Sequence, residues 1–415
     1  MHFGIISPPV SGHIHPFGAL GRELIARGHR VTFLHMSDLA DRIRLEGLEF
    51  LLIGEKDHPF GSLPKSLNRL AQLQGLAALR FTINAITKTT EMICRDTPAA
   101  IRQAGIEALL VDQTEPAGGT VADHLGIPFV TVCNALVLSS DARVPPPFTG
   151  WSYNPALWAQ ARNWIGYRMG RQMTRPIERV VEAYRARWKL PKQSTAEGSF
   201  SKLAQISQQP QAFDFPRRHL PACFHYVGPF RNTHRQVPFP WDKLNGRPLV
   251  YASLGTLQNQ KEHMFRSFAE ACQNLDVQLV ITHGGGLSEQ AASCFPGSPI
   301  VVSYAPQLEV LAKASLTLTH AGLNTVLDSL ACGVPLVAIP ITYEQPAIAS
   351  RIRWTGVGEA LSLKHLSVPK LRQTIEKILQ TPGYAFQARR IGQTITEAGG
   401  ARAAAGFIEK SLNLH

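Results

Sequence analysis

The sequence predicts an α/β protein built from two successive parallel-sheet halves of similar size. Two observations carry that expectation. Short apolar runs alternate with stretches of helical periodicity, and the alternation restarts after an interruption rich in Pro and Arg. A length of 415 residues agrees, at roughly 150 residues per domain. Residues 2–7 form an apolar run that stops at Pro8 and read as a buried strand. Phe17, Leu20, Leu24 and Ile25 follow at helical spacing, Gly28 ends that helix, and residues 30–34 are the next strand. Strand, helix and strand in this order make a parallel pair. Residues 108–111 and 128–132 are further strands of the same kind. Residues 216–247 show little periodicity and read as a linker. The second half opens with a strand over 249–254 that stops at Gly255, then a helix over 264–275. Strands over 277–282, 299–302, 316–319 and 334–339 follow, with a helix starting near Asn324.

Hydrophobic residues make up 44% of the chain and charged ones 17%, which excludes a disordered chain. Six scattered cysteines without a CxxC pair argue against a disulfide framework or a zinc ribbon and fit a reducing compartment. The first residues lack the basic segment and long apolar run of a signal peptide, and no run reaches the ~18 apolar residues of a spanning helix. A cytoplasmic protein is expected. The unusual number is the net charge of +12. An anionic membrane surface or an anionic substrate accounts for it better than nucleic acid, for which no recognition motif is present. Residues 151–190 concentrate that charge, with eight Lys and Arg against two Glu, and hold four of the six Trp. Leu157, Trp158, Ala161, Trp164, Ile165 and Met169 share one helical face, and Ile177, Val180, Val181, Tyr184 and Trp188 share another after Pro176. Two basic amphipathic helices are expected, with apolar faces that either pack on the first half or rest on an anionic membrane.

Ligands of open parallel sheets sit beyond the carboxyl ends of the strands, so chemistry belongs in the loops there. Residues 316–319 run as a strand into His320, Ala321-Gly322 permit a tight turn, and Asn324 or Thr325 opens a helix. Backbone N–H groups, the helix dipole and a His donor then converge on a site for a phosphate or diphosphate. Asp328, one turn further on, suits ribose hydroxyls. Upstream, Tyr304-Ala305-Pro306-Gln307 offers a ring to stack on a nucleobase and an amide for its edge. Downstream, Glu344-Gln345 suits the vicinal hydroxyls of a sugar. In the first half, Gly12-His13-Ile14-His15-Pro16 occupy the loop after the first strand. Histidine, with an ordinary pKa near ~6.5, suits general-base work. A His-x-His pair also suits a metal, but no further ligands stand at fixed spacing. Asp112 follows an apolar strand and suits the partner that orients a base. Asn134 and Asp141, in a later strand-end loop, are expected to face the same cleft and touch sugar or acceptor.

Taken together, these loops resemble the family 1 glycosyltransferases, the UDP-sugar transferases of natural products. The spacing from His320 through Asn324-Thr325 and Asp328 to Glu344-Gln345 is similar to the family's donor signature, and Gly12-His13 followed by Pro16 is similar to its Gly-His-x-x-Pro element. Ser253-Leu254-Gly255-Thr256 resembles the family's Ser-Phe-Gly-Ser loop. Residues 319–328 resemble most the wording of bacterial carotenoid glucosyltransferases. The resemblance implies a GT-B fold, two Rossmann-like domains facing across a cleft. Residues 1–230 would take the acceptor, 231–247 would link, 248–395 would hold the nucleotide sugar, and a helix within 396–415 would cross back. It implies that Tyr304, Ala305 and Gln307 hold uracil. His320, Gly322, Asn324 and Thr325 would hold the diphosphate with Ser253, Gly255 and Thr256, and Gly12 would border it. Asp328 would hold the ribose and Glu344-Gln345 the sugar. His13 would be the base, Asp112 its activator, and His15 a wall of the acceptor pocket. The reaction implied is single displacement from UDP-glucose to a lipophilic small-molecule alcohol, with inversion and without a metal; no Asp-x-Asp pair occurs. The sequence departs from the family at three points: Tyr304 stands for the Trp of plant members, Asp328 for Glu, and Glu344 for Asp. A nucleotide-sugar epimerase of the same fold and a non-catalytic nucleotide-sugar or lipid binder are the alternatives.

Overall fold

Buried strands of Val, Ile, Leu and Phe alternate with helices along the whole chain, and each half closes one parallel sheet. The computed structural model describes residues 1–73, 75–193, 196–231, 237–256 and 259–414; residues 232–236 of the expected linker lie outside them. The first half runs β1 (His2–Ile6), α1 (Ser11–Ala26), β2 (Arg30–His35), α2 (Ala40–Leu45), β3 (Glu49–Leu52), α3 (Ser62–Gln72), α4 (Gly75–Ala104), β4 (Ala108–Asp112), α5 (Pro116–Leu125), β5 (Phe129–Cys133), α6 (Leu157–Arg187), β6 (Gln205–Ser207) and β7 (Phe224–Tyr226). The second runs β8 (Leu249–Ser253), α7 (Glu262–Cys272), β9 (Gln278–Thr282), α8 (Glu289–Ser293), β10 (Ile300–Val302), α9 (Gln307–Leu311), β11 (Ala314–Thr319), α10 (Leu323–Ala331), β12 (Leu336–Ala338), α11 (Gln345–Thr355), β13 (Gly358–Ala360), α12 (Val368–Gln380), α13 (Pro382–Glu397) and α14 (Gly400–Ser411).

The sheet orders are β3-β2-β1-β4-β5-β6-β7 and β10-β9-β8-β11-β12-β13, with every pair parallel. Helices cover both faces of such sheets, which is why β1, β4 and β8 are buried at every residue. In both sheets the order of strand addition reverses once, between β1 and β4 and between β8 and β11. Loops part at such switch points and leave a crevice.

Two sequence expectations change. Residues 216–247 are not one linker, because Phe224–Tyr226 adds the edge strand β7, which is too short to show a period. Within residues 151–190, Leu157–Arg187 form one 31-residue helix instead of two. Pro176 removes a single N–H, and packing of the following turns on α4 and α5 carries the helix through it.

Away from the cleft, two contacts help fasten the halves to each other. Helix α14 returns to pack on α1: Ala404, Ala405 and Ile408 join the core around Phe3, Ile5 and Phe17. Glu409 accepts from Arg27 Nη1 at 2.7 Å. Helix α11 docks by a buried ion pair, in which Asp214 Oδ1 accepts from Arg351 Nε at 3.2 Å and Nη2 at 2.9 Å. The Arg351 guanidinium also lies over the Phe215 ring at 4.3 Å.

Candidate active site

His13 lies in the first turn of α1, not in a loop ahead of it, because the helix starts at Ser11. Pro16 is inside that helix and has no N–H to offer the Gly12 carbonyl four residues back. Asn324 Nδ2, from the second half, donates to that carbonyl at 2.9 Å. The Gly12–Pro16 spacing therefore prepares an acceptor for the opposite wall of the cleft.

His13 Nδ1 stands 2.7 Å from Asp112 Oδ2. His13 opens the helix that follows β1, and Asp112 ends β4, its neighbour at the first switch point. Asp112 is fully buried, and every bond it makes is accepted. Thr114 N and Oγ1 donate to Oδ1 at 2.9 and 2.6 Å, and Asn134 Nδ2 donates to Oδ2 at 2.9 Å. Gln208 in turn donates to Asn134 Oδ1 at 2.8 Å and accepts from Phe230 N at 2.9 Å. Burial pushes the Asp112 carboxyl up, but the His13 charge and the bonds from His13 and Thr114 outweigh it and leave it lowered. Burial likewise draws His13 down, and the Asp112 charge and hydrogen bond, with Glu344 adding, leave it raised. An ionised carboxylate only accepts, so His13 keeps its proton on Nδ1 and presents Nε2. Glu115, buried beside the pair, has its carboxyl pushed up to about 8 by burial and then by the Asp112 charge.

Two first-half expectations are corrected, and a third residue gains a partner. Asn134 is 3% exposed and holds Asp112 instead of facing the cleft. Asp141 caps its own loop, accepting from Arg143 N at 2.9 Å and Arg218 N at 3.1 Å. The His15 ring is tied through Nδ1 to Glu46 Oε1 at 2.7 Å.

On the other wall, β11 pairs with β8 so that Thr319 lies beside Ser253, at the second switch point. Ala321 turns the chain at φ +67, and Gly322 is the N-cap of α10. Tyr343, just before Glu344, also has positive φ, at +54. Left-handed backbone at non-glycine residues is costly and collects at functional turns. The His320 ring is clamped by two glycines. A Cβ on Gly322 would lie 2.6 Å from both Cε1 and Nε2, and one on Gly255 would lie 2.8 and 3.0 Å from the same atoms. His320 Nδ1 is buried without a partner among the described residues, and burial pushes the imidazole down to about 4 against a hydrogen bond to the Ser253 backbone that raises it. An anion at the start of α10 would supply the missing partner, so the site fits a diphosphate. Ser253 Oγ accepts from Gly255 N at 3.3 Å, Thr256 is exposed next to it, and Thr325 is buried in the first turn of α10. Gly322 has φ −67, so Gly322→Ala strains no backbone and acts only on the His320 ring. We expect this variant to fold normally and to bind a nucleoside diphosphate at least about tenfold more weakly, as read by calorimetry.

The remaining donor residues are brought together, with partners the sequence did not show. Gln307 Nε2 donates to Asp328 Oδ2 at 2.7 Å, and its Oε1 accepts from Tyr251 at 3.0 Å. Asp328 Oδ1 accepts from Arg231 Nε at 2.8 Å. The expected base reader and ribose acceptor thus hold each other, with Arg231 as a third member. Tyr304 is 53% exposed, with its hydroxyl on Gly284 O at 3.2 Å, and Ala305 packs beside Tyr251 and Leu249. Glu344 spans the cleft: its Oε2 accepts from Leu136 N at 2.9 Å, and burial pushes its carboxyl up. Gln345 Oε1 braces its own loop, accepting from Ile341 N and Thr342 N at 2.8 and 2.9 Å. Among the described residues, no group of three or more His, Cys, Asp or Glu is arranged to hold a metal ion.

The model of the UDP-glucoronosyl and UDP-glucosyl transferase family matches residues 20–394. The chain is 36% identical to the zeaxanthin glucosyltransferase of Pantoea ananas, over 99% of this chain and 96% of that protein. It is 34% identical to the zeaxanthin glucosyltransferase of Pseudescherichia vulneris, over 99% and 98%. Among solved structures, the calicheamicin glycosyltransferase CalG4 superimposes with a TM-score of 0.77 over 99% of this chain and 98% of that one, at 22% identity, and so shares the GT-B fold. By its sequence, its two switch-point loops and this match over nearly its whole length, the chain belongs to the UDP-glucoronosyl and UDP-glucosyl transferase family and is a glycosyltransferase that uses a nucleotide-sugar donor.

Proposed function

We propose that the protein transfers glucose, with inversion, from UDP-glucose to a hydroxyl of a lipophilic small molecule such as a carotenoid, terpenoid or polyphenol. One observation carries this reading. A His–Asp pair and a helix start meet across the cleft, joined one residue from the base by the 2.9 Å bond from Asn324 Nδ2 to Gly12 O. The names of the relatives at 36% and 34% identity point to the acceptor class. His13 Nε2 takes the proton of the acceptor hydroxyl as its oxygen bonds to the anomeric carbon. The bond from that carbon to the diphosphate breaks, and the nucleoside diphosphate leaves with the electron pair. Asp112 holds the imidazole tautomer and stabilises the imidazolium. His320 and the N–H groups opening α10 meet the leaving charge, with Ser253 and Thr256 beside them. Tyr304 stacks on the base, Gln307 and Asp328 with Arg231 form the ribose wall, and Glu344 with Gln345 orients the sugar. EDTA is therefore expected to leave turnover within about twofold. The raised pKa of His13 places the acid limb of kcat/KM above the ordinary imidazole value of ~6.5, with activity lost as pH falls through it.

This reading puts the enzyme in the cytoplasm, where a lipophilic alcohol is collected at the inner face of an anionic membrane by residues 151–190. No helix among the described residues is long and apolar enough to cross a bilayer. A donor-by-acceptor screen that follows nucleoside diphosphate release, with carotenoid, terpenoid and flavonoid alcohols, tests the proposal. Release that depends on the alcohol and yields a β-glycoside supports it. Release without any alcohol would favour an epimerase, and donor binding without turnover would favour an idle binder.

A further inference from the structure

Helix α6 has two apolar faces, and the structure treats them differently. Ala159, Asn163, Gly166, Ile177 and Val181 are buried, and Tyr184 and Trp188 pack with them against α4 and α5. The stripe formed by Leu157, Trp158, Trp164, Ile165 and Met169 lies on the opposite side, away from the domain. These side chains are 81, 61, 55, 51 and 61% exposed. A monomeric protein rarely leaves so many large side chains contiguous in water. The same surface carries Arg162 over the Trp151 and Trp158 rings at 4.7 and 5.4 Å, and Arg168 over the Trp164 ring at 5.0 Å. Arg175 and Arg179 continue it, exposed, and the first acidic residue of the helix is Glu178, which lies 3.6 Å from both Arg171 and Arg175. Of the eight basic residues in 151–190, Arg185 is turned inward, bonded to Asp123 Oδ2 at 2.7 Å. The loop over 146–151 joins this stripe to the cleft. Phe148 and Trp151 rest on Gly170 and Gly166 of α6, and Trp151 O accepts from Ser350 Oγ of α11 at 3.0 Å.

We infer that the outward face of α6 from Leu157 to Arg179 docks on the headgroup layer of an anionic lipid bilayer. The inference rests on the proposed use of a lipophilic acceptor. Indole rings beside guanidinium groups suit the boundary between acyl chains and headgroups, and a face whose arginines outnumber its one acid, Glu178, is complementary to anionic lipid. The docked helix would bring the loop over 146–151, and with it the cleft, to the surface where such an acceptor is dissolved.

Co-sedimentation of the full chain with phosphatidylglycerol vesicles and with phosphatidylcholine vesicles tests it, without donor or acceptor, so that the result is independent of the transferase reading. Binding is expected to the anionic vesicles only, and to fall at about 0.5 M salt. The triple variant Trp158→Ser/Trp164→Ser/Ile165→Ser and the triple variant Arg168→Gln/Arg175→Gln/Arg179→Gln are each expected to lose at least about tenfold in partitioning. Both should turn over a water-soluble alcohol as the unaltered protein does, since none of these residues lies in the cleft machinery. Absence of binding at low salt, equal binding to neutral vesicles, or unchanged binding by both folded variants would overturn the inference. So would a dimer in solution that the Ser variant dissolves, because the stripe would then be an interface between copies. Failure of every alcohol in the transfer screen, with vesicle binding intact, would instead remove the acceptor proposal.

Discussion

Replacing His13 with alanine is expected to lower turnover by roughly 10³–10⁴-fold, with donor binding unchanged within a few-fold. The ring contributes a proton acceptor and little else: its Nδ1 is committed to Asp112, and the helix around it starts at Ser11 without any bond from the imidazole. Asp112→Asn should be nearly as damaging, because the carboxylate accepts at both oxygens. If the new NH₂ faces His13, the imidazole must accept at Nδ1, its proton moves to Nε2, and the base is lost. If it faces Thr114 instead, a backbone N–H is left opposed by another donor in a buried site. The double variant should be no worse than His13→Ala alone, since the two residues act as one unit. Single-turnover release of the nucleoside diphosphate, together with calorimetric donor binding, measures all three. Turnover of His13→Ala within tenfold of the unaltered enzyme would exclude the base, and additive losses in the double variant would exclude the pair.

The parts of this site that could be read in the sequence are those that a strand end places by itself. His13, Asp112, His320 and Ser253 each follow a run of apolar residues, and the parallel fold brings such ends to one edge. Thr114, Asn134 and Gln208 could not be read in the same way. A small polar residue in a loop has many uses, and only the distances to Asp112 select one. The Gly12–Pro16 spacing was visible, but its consequence was not, because the donor to the freed carbonyl is 312 residues away. Strands β6, β7 and β13 have three residues each and lie outside any longer apolar run, whereas β10 and β12, equally short, sit within the apolar stretches 299–302 and 334–339. In α6, periodicity gave both apolar stripes correctly and said nothing of which one is covered. The stripe ending at Trp188 meets α4 and α5, and the stripe beginning at Leu157 meets water. Periodicity reports chemistry around one helix, and coverage depends on its neighbours.

Asp214→Leu is expected to destabilise the protein by about 3–5 kcal/mol, the largest loss of stability from any single change considered. Asp214 and Arg351 are 1% and 0% exposed at their side chains, and Arg217, whose Nε lies 2.7 Å from Asp214 Oδ2, is 2% exposed. Removing the one carboxylate leaves two buried cations. Arg217 keeps the Ser139 and Val137 carbonyls, whereas Arg351 keeps Ala347 O at 3.2 Å and the Phe215 ring. Asp214→Leu/Arg351→Met should therefore recover only part of the loss: it removes the worse-stranded cation, but Arg217 stays buried with two carbonyls and no carboxylate. The dependence on pH follows from the same contacts. Burial alone would push the Asp214 carboxyl up, but the Arg351 and Arg217 charges and their hydrogen bonds hold it at about 2. A group lowered on folding contributes stability that is present above its unfolded value of ~3.9 and is lost as pH falls through the folded one. Urea midpoints between pH ~4 and ~2 should thus drop more steeply for the unaltered protein than for the Leu variant. Because Arg351 lies on the helix that begins at Gln345, just after Glu344, loosening this pair should also raise KM for the donor more than it lowers kcat. A loss below about 1 kcal/mol, or a Leu variant with unchanged donor KM, would mean that α11 is held against the first half by its apolar contacts and the Ser350–Trp151 bond instead.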